Sequence, residues 1–261
     1  MKIEFLGTGA ADYNLERDCT SAEFRRFTST LINDSLLIDP GPHIFHYAET
    51  FGKTHLFDNL KTVIITHSHE DHLDPESVKK LAAIAPDCKF AGNAASLDVL
   101  REAGVEVDYT VLTPFERYTF GDFTVIPMFA NHFTGRYDEQ AFLYTVETEG
   151  KKLYYGTDTG WIPAATWDYM SNQGYDAMIF ELTIGEASYD HRIFCHTGVE
   201  MLKMILRTVC HRDRKYCATN FGCKFFTTHH AKTLHPDHAT LAAMLAPLNV
   251  TPAYDGFIAE I

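Results

Sequence analysis

Paired cysteines are missing from this 261-residue sequence. Its six cysteines (Cys19, Cys88, Cys195, Cys210, Cys217 and Cys223) are scattered and never form Cys-x-x-Cys. That excludes the usual zinc-ribbon and thioredoxin-like signatures, and reduced thiols are the simplest expectation. Cys210, Cys217 and Cys223 lie near one another, but their spacing fits no standard zinc motif. No apolar run is long enough to span a bilayer. Met1-Lys2-Ile3-Glu4-Phe5-Leu6-Gly7 reads at once as a strand and Gly turn, not as a signal peptide. A cytoplasmic protein with no membrane partner is therefore expected. Positive charge is scarce: 22 Lys and Arg stand against 35 Asp and Glu, for a net charge of −13. Such a balance argues against a large nucleic-acid surface. The one basic stretch (Arg207, Arg212, Arg214, Lys215) reads as the solvated end of a helix. Linkers, low-complexity tracts and short-period repeats are also absent. With 46% hydrophobic residues, one domain over residues 1–261 with a large core is expected.

What is present is concentrated in residues 66–73, Thr-His-Ser-His-Glu-Asp-His-Leu. His67, His69, Asp71 and His72 place four metal-binding side chains within six residues. They follow Lys61-Thr62-Val63-Ile64-Ile65, an apolar β-branched run that reads as a buried strand. His67 and His69 are two apart, so in extended chain they project to the same side. Asp71 and His72 lie past the bend and can face a second point nearby. One turn can thus serve two metal ions.

This is the His-x-His-x-Asp-His motif, and the chain resembles the metallo-β-lactamase-fold hydrolases. The resemblance implies three further ligands in order, and each is found at the end of a strand-like run: His132 after Ile126–Ala130, Asp158 after Leu153–Gly156, and His229 after Lys224–Thr228. It implies that His67, His69 and His132 bind one divalent ion. Asp71, His72 and His229 would bind the other, with Asp158 bridging. His229 is preferred over His230 because it directly follows the Thr-Thr strand end. A His-rich, carboxylate-bridged site suits zinc or manganese, and iron as well. Asp39, in Leu36-Leu37-Ile38-Asp39-Pro40-Gly41, matches the family's early Asp. It is expected to accept a hydrogen bond from a ligand imidazole.

Strand-like runs fall near residues 2–6, 30–38, 62–66, 88–91, 123–129, 141–147, 152–156, 176–181, 223–228 and 256–260. Helix-like stretches fall near 75–85, 94–103, 162–172, 197–210 and 236–246. Asp74-Pro75 supplies an N-cap and first helical residue. The pattern is α+β. It fits the four-layer αββα sandwich of the resembled family, with the site along one edge.

Leu6-Gly7-Thr8-Gly9 resembles the opening of the ribonuclease Z-like branch. The nearest resemblance is to the phosphoribosyl cyclic phosphodiesterases. It runs from that turn to Tyr254-Asp255-Gly256-Phe257 and includes Cys195-His196-Thr197-Gly198-Val199-Glu200. It implies that His196 is a proton donor or phosphate contact, with His191 the competing candidate. One departure is clear: the resembled enzymes carry a Cys-rich structural zinc loop, whereas Asp12 to Ser29 holds only Cys19. No tRNA-grasping insertion is visible either.

The expected activity is metal-dependent hydrolysis of a small phosphodiester, cyclic ones included. Two cations would acidify a bridging water, Asp71 would orient it and take its proton, and His196 would protonate the leaving alkoxide. Thr159, Thr197 and Lys232 are candidate phosphate contacts. The same centre would also serve a lactonase or thioesterase, and a non-catalytic metal-binding protein is the third reading. The partner expected is a small molecule, and a homodimer is common in such families.

Overall fold

The computed structural model describes residues 1–15, 19–187, 189–210 and 217–261. The strands are β1 (Lys2–Gly7), β2 (Ser29–Ile32), β3 (Leu36–Ile38), β4 (Thr62–Ile64), β5 (Lys89–Gly92), β6 (Tyr109–Val111), β7 (Tyr118–Phe120), β8 (Phe123–Phe129), β9 (Phe142–Thr148), β10 (Lys151–Gly156), β11 (Tyr175–Glu181), β12 (Thr219–Thr228), β13 (Val250–Pro252) and β14 (Ile258–Glu260). The helices are α1 (Ile44–Thr50), α2 (Pro75–Ile84), α3 (Ala94–Glu102), α4 (Ala164–Met170), α5 (Val199–Val209) and α6 (His238–Leu245). Two seven-stranded mixed sheets result, in the orders β14-β1-β2-β3-β4-β5-β6 and β13-β12-β11-β10-β9-β8-β7.

Alternation along each strand decides the layers. Leu36, Ile38 and Ile64 point into the core between the sheets, where they join Phe142, Tyr144, Tyr155 and Phe226. Their neighbours Leu37 and Val63 point outward onto Tyr47, Val78, Leu81 and Leu100 of the helices. On the other sheet, Tyr154, Met178 and Phe180 pack outward against Leu202, Ile205 and Leu241. Both faces of the central strands are therefore buried, which is why those runs are continuously apolar. Each such fully buried side chain contributes about 1.5–3 kcal/mol relative to exposure. The result is the expected α+β sandwich, helices outside and sheets within.

Local signals hold where they were strong. Asp74 caps α2 by accepting from Ser77 N at 2.9 Å, with Pro75 as the first helical residue. Asp237 caps α6 through Thr240 N at 2.9 Å. Arg207 lies in the last turn of α5, whereas Arg212, Arg214 and Lys215 fall outside the described residues. Among the described residues, no helix is long and apolar enough to cross a membrane.

Candidate metal centre

The parallel pairings bring the C-terminal ends of the central strands to one edge. β3 runs parallel to β4, pairing Ile38 with Ile64. β10, β11 and β12 are mutually parallel, pairing Gly156 with Phe180 and Phe180 with Thr227. Just past these ends come Asp39, His67, Asp158 and His229, while His132 follows β8. Three of these residues have left-handed backbone: Asp39 (φ 61°), Asp158 (φ 50°) and His229 (φ 55°). For non-glycine residues this costs of order 1–3 kcal/mol each, and such strain persists where the surrounding structure fixes the side chain for a task.

Asp158 sits between two groups of imidazoles. Its Oδ2 faces His67 Nε2 at 3.7 Å and His132 Nε2 at 3.6 Å. Its Oδ1 faces His72 Nε2 at 3.3 Å and His229 Nε2 at 3.2 Å. His69 closes the first group, its Nδ1 lying 3.2 Å from His132 Nε2. Asp71 closes the second, its Oδ2 lying 3.4 Å from both His72 Nε2 and His229 Nε2. Within His67, His69, His132 and Asp158, and again within Asp71, His72 and His229, the ligand atoms lie within 4.8 Å of one another. All seven residues singled out from the sequence thus converge. His230 turns away: it is buried with its Nε2 3.0 Å from Thr227 Oγ1.

His72, His132 and His229 are held from behind. Asp39 is fully buried. It accepts from Thr66 N at 2.7 Å and places Oδ2 2.8 Å from His72 Nδ1. Thr183 Oγ1 lies 2.8 Å from His229 Nδ1, and Cys195 O accepts from His132 Nδ1 at 3.1 Å. Glu139 clamps the ligand loop through Ser68 N at 2.8 Å and Ser68 Oγ at 2.5 Å. These contacts fix which ring nitrogen faces the centre. Asp39→Asn keeps the shape and tolerates the left-handed backbone while removing the charge. It should weaken metal binding by ~10–100-fold, read by competition with a chromophoric chelator, with the far-ultraviolet dichroism unchanged.

The donor set fits metal ions. His67 Nε2 and Asp158 Oδ1 are buried with no hydrogen-bond partner, an arrangement that costs free energy unless something else binds there. Burial, together with neighbouring imidazoles, holds His67 well below its ordinary pKa. Burial likewise takes His132 down to about 4, so both are neutral donors. Burial opposes charge on His72 too, yet Asp158, Asp71 and Asp39 raise its pKa well above the usual value. The same carboxylates that draw a proton there would draw a cation. For Asp71, burial is outweighed by His72 and His229, which keep it ionised.

His196 adjoins this cluster and His191 does not. The His191 side chain is 92% exposed on a 3-10 turn. A donor atom of His196 lies within 4.8 Å of donor atoms of Asp158 and His229. Its Nδ1 is 2.9 Å from Oε1 of Glu181, a carboxylate with no exposed surface. Glu181 also accepts from Thr159 N and Thr183 N, each at 2.9 Å. Against the pull of burial, Glu181 raises His196 to about 9. Glu181 was not singled out from the sequence. A lone acidic residue closing an apolar strand, with Thr183 two residues on, was the available signal. Thr159 and Thr197 are already engaged: Thr159 Oγ1 accepts from Asn131 N at 2.9 Å, and Thr197 Oγ1 donates to Thr159 O at 2.8 Å. Lys232 lines a different cavity.

A sandwich with His and Asp ligand groups along one sheet edge defines a metal-dependent hydrolase of the metallo-β-lactamase type. The chain belongs to the beta-lactamase superfamily, whose domain profile matches residues 35–217. Three solved structures share the fold. YhfI of Bacillus subtilis, a metallo-beta-lactamase fold protein, is 16% identical, with TM-score 0.72 and coverage of 100% of this chain and 98% of its own. Zinc-bound PqqB of Methylobacterium extorquens is 13% identical, with TM-score 0.68 and full coverage of both chains. The short form of human tRNase Z is 18% identical, with TM-score 0.69 and coverage of 100% and 99%. No curated protein matches the sequence.

Proposed function

We propose that this protein hydrolyses a small phosphodiester using two divalent cations, zinc or manganese. His67, His69 and His132 would hold one and Asp71, His72 and His229 the other, with Asp158 shared between them. The observation that carries this reading is the division of Asp158: one oxygen faces each imidazole group. When bound, such cations supply Lewis acidity, acidifying a water toward neutrality and offsetting phosphoryl charge.

The chain's own residues supply the rest. Asp71 is kept ionised, so it can accept a hydrogen bond and then the proton from the attacking water. His196 is held through Nδ1 by Glu181, which leaves Nε2 to deliver a proton to the leaving alkoxide. An alkoxide needs that proton because it is strongly basic, whereas a thiolate leaves without one. The Glu181–His196 pair therefore favours an oxygen leaving group over a thioester. Exposed aromatic rings occur on the neighbouring loops: Phe133 follows His132, Trp161 follows Asp158, and Phe194 precedes His196. These loops are tied together, Gly160 N donating to Asn131 O at 3.0 Å. Rings of this kind suit a substrate with a flat apolar group.

The test is hydrolysis of bis(p-nitrophenyl) phosphate by protein stripped of metal and reloaded with zinc or with manganese, beside a lactone and a thioester. Metal-dependent phosphodiester turnover is expected. Turnover of the lactone or thioester with an inert phosphodiester would move the chemistry to carbon and end this reading.

A further inference from the structure

A second cavity, of about 270 Å³, is lined by Tyr13, Glu23, Arg25, Lys232, His235 and His238 and by none of the metal-centre residues. Two cations, Arg25 and Lys232, and two carboxylates, Glu23 and Asp237, line it, and of the four only Arg25 is buried. Arg25 and Arg26 are both buried, 3% and 0% exposed, beside one buried carboxylate, Asp255. Arg26 takes that carboxylate directly, with Nη1 3.1 Å and its backbone N 2.7 Å from Oδ2. Arg25 reaches it only through Thr8, whose hydroxyl donates to Asp255 Oδ1 at 2.9 Å and accepts from Arg25 Nη1 at 2.7 Å. The remaining partners of Arg25 are neutral at ordinary pH: Ala253 O at 2.6 Å, and His238 Nδ1, 3.2 Å from Nη2. Burial pulls against the Arg25 charge and lowers its pKa, and Tyr13, Asp255 and Glu23 oppose this only partly. Among the described residues, Arg25 forms no ion pair within 4.0 Å. A buried cation of this kind carries a desolvation cost that a bound anion would offset.

Lys232 is exposed at the rim, and Asp12 pins the backbone there through Lys232 N at 2.8 Å and Thr233 N at 3.0 Å. His235 donates from Nε2 to Leu182 O, which leaves its buried Nδ1 an acceptor that plays no part in holding an anion. The acidic residues nearby are occupied. Both oxygens of Glu23 accept from His238 N at 3.0 Å, and Asp237 caps α6.

We propose that this cavity binds a small phosphate-bearing molecule, gripped by the Arg25 guanidinium and the Lys232 ammonium. A tetrahedral oxyanion can take donors arriving from several directions, whereas a planar carboxylate is satisfied by one guanidinium fork. The inference does not rest on the phosphodiester reading of the metal centre.

The probe is inorganic phosphate titrated calorimetrically into metal-loaded protein, with acetate as the planar comparison. Crystals of the same protein soaked in selenate, an anomalous scatterer, locate the site. The expected results are a selenate peak beside Arg25 and phosphate binding about tenfold weaker in Lys232→Ala, whose side chain is exposed and whose fold should be intact. Arg25→Lys, which keeps the charge and loses the fork, should weaken it as well. In Lys232→Ala, a raised KM for the phosphodiester assigns the cavity to a second phosphate on the substrate, and an unchanged KM assigns it to a separate ligand. No selenate beside Arg25 with an unaltered Lys232→Ala isotherm overturns the proposal. Acetate binding as tightly as phosphate overturns the phosphate assignment.

Discussion

Asp158→Asn should abolish metal-dependent hydrolysis, with kcat/KM falling by at least ~10³-fold. One carboxylate faces four imidazoles, Oδ2 toward His67 and His132, Oδ1 toward His72 and His229. Asparagine keeps the volume and tolerates the left-handed backbone, but it offers one neutral oxygen and an NH₂ that cannot ligate. Lewis-acid stabilisation of transition-state charge is worth several kcal/mol, and about 1.4 kcal/mol is one decade of rate, so losing most of it gives the figure above. Metal content, read by plasma mass spectrometry after dialysis, should fall from two ions per chain to one or fewer. A variant that retains two ions and near-normal turnover would show that Asp158 does not bridge, and the division of its two oxygens would then have no chemical meaning.

The clustering of the candidate metal ligands was legible in the sequence because ligand chemistry is local. His67, His69, Asp71 and His72 occupy one turn, and His132, Asp158 and His229 each close an apolar run, so strand ends could be read without knowing the sheet order. Helix α2 was legible for the same reason, since Asp74-Pro75 is a cap signal within one turn of the helix it starts. Elements decided by tertiary packing were not. The run near 30–38 reads as one strand, yet it breaks into β2 and β3 at Asn33 and Asp34, which take positive φ values of 48° and 55°. That pair forms a tight hairpin turn because short polar side chains tolerate the left-handed region. α1 lacks a side-chain cap and packs Tyr47 and Ala48 into the core. β6 and β7 are edge strands of three residues each with largely unburied side chains, too short for a period to emerge. Glu181 is illegible in the sequence for a related reason. Its role depends on Thr159, Thr183 and His196, which only the folded chain brings together.

His196 and Glu181 carry the second large effect, and its size should depend on the leaving group. His196→Ala removes the proton donor and should slow hydrolysis of an alkyl phosphodiester by ~10²–10⁴-fold. A p-nitrophenolate is stable without a proton, so the same variant should lose far less on bis(p-nitrophenyl) phosphate. A merely structural role would lower both equally, which makes the ratio between the two substrates the informative quantity. Glu181→Gln leaves the His196 ring in place but replaces a buried carboxylate, 2.9 Å from Nδ1, with a neutral amide. Glu181 is what raises His196 to about 9 against burial, so its removal weakens the hold on a protonated imidazole. The expected loss is about 10–100-fold, the range for residues that orient a catalytic group from behind. It should again be larger for the alkyl ester, with metal content unchanged. Equal losses on both substrates would remove His196 from proton transfer. A drop in metal content in His196→Ala would instead make it a ligand, consistent with its donor atom lying within 4.8 Å of those of Asp158 and His229.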